Sequence, residues 1–163
     1  MRVFFLLALM TLSGSLFAAD LRGRMGVGAS NQLANNIPAI SLKVQQSKTF
    51  ALGGLLGFKS DQDNTLYGAG IKFYRIIFDE PQLNFYLAGL LATLNYYDTD
   101  KNKTQSGYQM DGTLGSEFHL SGLESIGFSF EFGLSARKAD NNGATFQTLG
   151  DQIVKAAVHF YLS

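Results

Sequence analysis

The stretch GFSFEFGLSAR, Gly127 to Arg137, sets Phe128, Phe130, Phe132, Leu134 and Ala136 on one face of an extended chain and Ser129, Glu131, Gly133, Ser135 and Arg137 on the other. A period of two is the signature of a strand between unlike surroundings. Alternation alone fits two opposite objects: a soluble barrel or sandwich with the phenylalanines inside, or a membrane barrel with the phenylalanines outside. The rest of the chain decides between them.

Read for the same period, the chain resolves into eight segments separated by polar, turn-rich stretches. They are Leu21 to Ser30, Ala39 to Gln46, Thr49 to Lys59, Leu66 to Tyr74, Leu83 to Tyr96, Ser106 to Leu120, Ile126 to Lys138 and Gln152 to Leu162. No segment carries a helical stripe. The connections alternate between longer polar ones (SNQLANN, SDQDN, DTDKNKTQ, ADNNGATFQTLG) and tight ones, with a longer turn expected around Asp79, Glu80 and Pro81. Outer-membrane barrels show that asymmetry, with short turns on one side and longer loops on the other.

The ends and the composition agree with export. Residues 1–19 read as a signal peptide, with Arg2 followed by the apolar run Val3 to Leu12 and a small-residue stretch to Ala19. That run is far shorter than the ~20 apolar residues of a spanning helix. Residues 20–163 read as one domain. With Arg2 removed the chain carries one more acid than base, so it lacks the basic excess that nucleic-acid binding requires. It has no cysteine, which excludes disulfides, zinc-thiolate sites and a thiol nucleophile.

The two faces of the segments differ in kind. The apolar face is uncharged, and its aromatic residues gather at segment ends. Phe58, Tyr67, Tyr96 or Tyr97 and Tyr108 lie near the long loops, and Phe50, Phe73, Phe85, Phe118, Phe128 and Phe160 near the short turns. Two such girdles are the expected anchors at the two membrane interfaces. The other face holds Gly26, Gly28, Gly53, Gly57, Gly68, Gly70, Gly115 and Gly133. Glycine inside a strand is costly, and small residues make sense lining a narrow lumen. The phenylalanines are therefore expected to face lipid. The fifth segment, LNFYLAGLLATLNYY, is apolar on both faces and marks an apolar patch in the interior.

The fold expected is all-β, an eight-stranded antiparallel up-and-down transmembrane β-barrel. By parity its lumen receives Arg22, Arg24, Lys43, Lys72, Asp111, Glu117, Glu131, Arg137 and Lys155, with His119 and His159. Opposite charges in a narrow, low-dielectric space should pair, because an unpaired buried charge is costly. The expected plug joins Glu117 and Glu131 to Arg24, Lys43 and Lys155. The two histidines have no third ligand at useful spacing, so no metal is expected, and the GxG pairs lie inside strands, so no cofactor is expected.

In architecture, and in its terminal strand VKAAVHFYLS, the chain resembles the small eight-stranded outer-membrane barrels that include OmpX-like proteins and the membrane domain of OmpA-like proteins. The resemblance implies residence in the outer membrane of a Gram-negative bacterium, as a monomer among lipid and lipopolysaccharide, after delivery to the barrel-assembly machinery. Members of that family commonly finish on an aromatic residue, whereas this chain ends Phe160, Tyr161, Leu162, Ser163. A structural or interaction role ranks first, a narrow small-solute pore second. Third comes hydrolysis of lipid A, since His119 and Ser121 in EFHLSGLES, with Glu124 or Glu131, are similar to the His, Ser and acid of outer-membrane lipid A deacylases. His119 has lumen parity and both residues lie at the short-turn end, which counts against catalysis.

Overall fold

The computed structural model describes residues 23–61, 64–80, 82–98, 103–138, 143–149 and 154–162. The expected signal peptide and Arg22 lie outside the described residues.

Among the described residues, nine strands form one closed antiparallel sheet: β1 (Met25–Ser30), β2 (Ala39–Gln45), β3 (Phe50–Ser60), β4 (Asn64–Glu80), β5 (Leu83–Asp98), β6 (Lys103–Leu120), β7 (Leu123–Lys138), β8 (Thr145–Thr148) and β9 (Lys155–Leu162). Each strand from β1 to β7 pairs with the next in sequence, and β9 closes the ring by pairing with both β7 and β1. The result is an up-and-down barrel of eight walls. Register fixes its tilt. The lateral neighbours of His159 run through Gly28, Ser41, Leu55, Gly70, Ala92, Gln109 and Arg137, and Arg137 is opposite Thr145, at the far end of the eighth wall from His159. A full turn that climbs this far along the chain requires strands inclined to the barrel axis.

The eighth wall departs from expectation. It comes in two pieces, because Thr145 to Thr148, read from sequence as loop, pairs with the upper half of β7. Leu134 stands opposite Thr148 and Glu131 opposite Lys155. Leu149, directly after Thr148, has φ of 25°, its N–H donating to the Gly133 carbonyl at 3.2 Å and its side chain buried.

A second departure is at the β4–β5 connection. β4 continues to Glu80 across a bulge at Ile77, so Asp79 and Glu80 pair with Asn84 and Leu83 rather than forming the expected longer turn.

The third departure matters most for the site. SNQLANN has the composition of a longer polar connection, yet Gln32, Leu33 and Ala34 within it, and Ile37 just after, are buried. β1 and β2 have only 6 and 7 residues, fewer than the ~9 to 11 of a crossing strand, and the segment between them folds down into the barrel. Leu33, Ala34 and Ile37 join Ala39, Leu55, Leu90, Ala92 and Leu94 in one buried apolar cluster. Space for it comes from missing side chains: a Cβ on Gly57 would stand 2.6 Å from Leu33 Cδ1 and 2.7 Å from Ile37 Cγ2. The fifth segment is apolar on both faces because its inner row, Leu90, Ala92 and Leu94, meets this inserted loop.

Candidate functional site

Below the apolar cluster the lumen is filled by a second, charged layer. Lys43 on β2 and Lys72 on β4 reach across the barrel to Glu117 on β6 and Glu131 on β7. Lys43 Nζ donates to Glu117 Oε2 at 2.5 Å. Lys72 Nζ donates to both oxygens of Glu131, at 2.6 and 2.5 Å. All four are buried. Ions this far from water persist only when their remaining hydrogen-bonding capacity is met, and it is. Glu131 also accepts from Tyr86 Oη at 2.8 Å, Thr113 Oγ1 at 2.8 Å and Gln32 Nε2 at 2.7 Å. Glu117 accepts from Tyr161 Oη at 2.6 Å.

Three inward tyrosines bind the two pairs into one unit. The Tyr74 ring centroid lies 4.7 Å from Lys43 Nζ and 5.0 Å from Lys72 Nζ, so one ring faces both ammonium groups. Tyr86 packs edge-on against it at 5.3 Å. Glycines make the room: a Cβ on Gly115 would fall 2.5 Å from the Tyr86 ring, and one on Gly127 would fall 2.8 Å from Glu117 Oε1. Tyr74, Tyr86 and Tyr161 were not singled out from sequence. Their parity with Lys72, Leu90 and His159 was the signal that could have found them.

The inserted loop and the charged layer are joined. Gln32 ties the loop to Glu131, while Gln109 Oε1 accepts from the Ala34 N–H at 2.7 Å and Gln109 Nε2 donates to the Gln32 carbonyl at 3.0 Å. Gln109 Nε2 also donates to Asp111 Oδ2 at 2.7 Å. At the loop end Arg137 Nη1 donates to Asn35 Oδ1 at 3.3 Å.

The partners differ in part from those expected. Lys43 does hold Glu117, but the ammonium on Glu131 belongs to Lys72. Lys155 is buried directly opposite Glu131 on the ladder. Arg24 is half-buried at the turn end and forms an ion pair with neither acid. The carbonyl of Arg24 accepts from the Gln45 N–H.

His119 and Ser121 form no dyad. His119 Nδ1 shares a hydrogen bond with the Glu124 carbonyl at 3.0 Å, and exposed Ser121 accepts from Gln82 Nε2 at 2.6 Å. A different serine, histidine and acid do meet. Ser41 Oγ and His159 Nε2 share a 2.8 Å hydrogen bond, and His159 Nδ1 lies 3.9 Å from Glu117 Oε1. This order copies a hydrolytic triad, but all three residues are buried and Glu117 is already held by Lys43 and Tyr161. A nucleophile must reach its substrate, and Ser41 Oγ is walled in by the plug. Among the described residues no cluster of three His, Cys, Asp or Glu side chains could hold a metal.

The outer face is the reverse of the lumen. Phe58, Tyr67, Phe73, Phe85, Tyr108 and Phe160 are exposed, and Phe50, Tyr97, Phe118 and Phe128 are half-buried beside them. Phe118 stacks on Phe128 and Phe130, each at 5.7 Å. Tyr96 belongs to the other face: it shares the parity of Leu94, and its hydroxyl donates to Asn64 Oδ1 at the lumen mouth. Among the described side chains, outward positions between Arg75 at one end and Lys138 at the other carry no charge.

No protein-family model and no curated protein sequence matches the chain. Among solved structures it is similar to the crystal structure of the N-terminal β-barrel domain of Pseudomonas aeruginosa OprF, with a TM-score of 0.58, 14% identity, and coverage of 86% of this chain and 98% of that one. At that identity the likeness is one of fold: a closed, eight-walled antiparallel β-barrel.

Proposed function

We propose that the protein is a resident of the bacterial outer membrane with a structural or interaction role, its lumen sealed by its own side chains, and that it is not an enzyme. The observation that carries this reading is the inversion of the barrel. Ion pairs lie at the centre, and a continuous belt of Phe, Leu, Ile and Tyr lies outside. In water that arrangement would expose an apolar surface far larger than soluble monomers carry; in a bilayer it is the expected one. Two stacked layers, one apolar and one charged, stand in the way of solute passage, which favours the sealed barrel over the narrow pore.

The test is in two parts. Cell fractionation should recover the processed chain with outer-membrane lipid, and recovery from the soluble periplasm without detergent refutes the proposal. Planar-bilayer recording on the refolded protein should give no discrete conductance, and steady single-channel steps would establish the pore instead.

A further inference from the structure

The lipid-facing wall is not uniformly convex. Two confluent hollows, of about 680 and 730 Å³, lie over β2 to β6 and share Ile40, Leu56, Ala69 and Thr93. Register explains them. Ile40, Leu56, Ala69, Thr93 and Tyr108 are lateral neighbours in one outward row, and Leu42, Gly54, Ile71, Leu91 and Met110 in the next. Small residues at Gly54, Ala69 and Thr93 make a floor between branched and aromatic walls.

No described side chain occupies the space over Gly54, which, unlike the equally open Gly112, lies on the floor of the hollow. The lumen glycines Gly57, Gly115 and Gly127 each leave room for a neighbour that a Cβ would strike, whereas a Cβ on Gly54 would meet nothing within 4 Å. Glycine within a strand often marks a place where something else approaches closely. The hollow is also polar at one end only. Towards the loops it reaches Tyr67 and Asn95, whose Oδ1 accepts from Ser106 Oγ at 2.7 Å, leaving the Asn95 amide nitrogen as a donor. Lys138 stands opposite Tyr108, one of the lining residues, on the β6–β7 ladder and adds a cation beside the hollow.

We propose that this hollow seats one acyl chain of an anionic membrane lipid, the chain lying over Gly54, Ala69 and Thr93 and the headgroup at Asn95 and Lys138. The complementarity is that of an amphiphile: an apolar trough, then amide and hydroxyl donors, then a positive charge. A second copy fits less well, because the convex wall of another barrel cannot enter a trough. The inference rests on the outer-membrane reading above.

The test uses the full chain refolded into phosphatidylglycerol vesicles carrying a trace of phosphatidylglycerol with a diazirine on its acyl chain. After photolysis, label should fall on the β3 to β5 residues at least fivefold above the β7 and β9 face. Gly54→Leu, alone and with Ala69→Leu, should remove that excess while the melting temperature holds, and Gly112→Leu, on the same outer face but outside the hollow and equally open, should leave it. Lys138→Gln should lower it at least twofold. Label spread evenly around the barrel, excess label that survives Gly54→Leu, or a concentration-dependent protein crosslink through the hollow would each overturn the proposal. A chain that fails to float with the vesicles overturns the membrane reading itself, a result distinct from insertion with uniform labelling.

Discussion

Glu131 is the point at which the plug should fail first. Its carboxylate receives Lys72 twice, Tyr86, Thr113 and Gln32, so it joins β4, β5, β6 and the inserted loop through one side chain. Glu131→Gln keeps the volume and removes the charge, leaving the buried Lys72 ammonium without its partner. Breaking a buried pair from one side costs ~3 to 5 kcal/mol, whereas removing both ions together is often close to neutral. Glu131→Gln and Lys72→Met should therefore each lose ~3 to 5 kcal/mol, and the double variant should return to within ~2 kcal/mol of the parent. The assay is urea unfolding of the vesicle-inserted protein, read from the midpoint and slope of the transition. Conductance of Glu131→Gln in planar bilayers gives a second readout, expected to rise if the pair is the ion barrier. Single losses below ~1 kcal/mol, or a double variant equal to the sum of the singles, would refute the view that these charges hold each other and the barrel together.

Leu33→Ala tests the inserted loop: as a buried position it should cost ~2 to 5 kcal/mol, against less than ~0.5 kcal/mol for an exposed loop site. Gly115→Ala should destabilise by ~1 to 3 kcal/mol through its clash with Tyr86 and Glu131, while Gly112→Ala, whose Cβ meets nothing, should be tolerated in the same unfolding assay. Phe132→Arg, on the outer face opposite Leu114, should cost ~2 to 4 kcal/mol in a bilayer, and a neutral result there would place that face in water. Ser41→Ala should leave the protein unreactive towards a fluorophosphonate probe, as the parent is expected to be, and labelling of the parent at Ser41 would reopen the enzymatic reading.

How much of this was legible in the sequence follows from which interactions are periodic. Strand alternation is a property of every second residue, so the two faces of β7, the lumen placement of Lys43, Lys72, Glu117 and Glu131, and the number of walls can all be read from Gly127 to Arg137 outward. Partner choice is not periodic. Which base meets Glu131 depends on the stagger accumulated around the ring, and that stagger sets Lys72, not Arg24, at its depth. The upper piece of the eighth wall escaped the reading because Thr145 to Thr148 has one apolar residue, Phe146, and so no alternation to detect. The inserted loop was hidden for a different reason: its asparagines, two of them at positive φ, dominate its composition, while the residues that decide its position are Leu33 and Ile37. What those two required was already written elsewhere, in the hollow left by Gly57 and Gly68 and in the inner row Leu90, Ala92 and Leu94. An apolar inner patch in a polar lumen needs an apolar occupant. In a barrel whose first two strands are too short to span, the segment joining them is the part of the chain free to supply it.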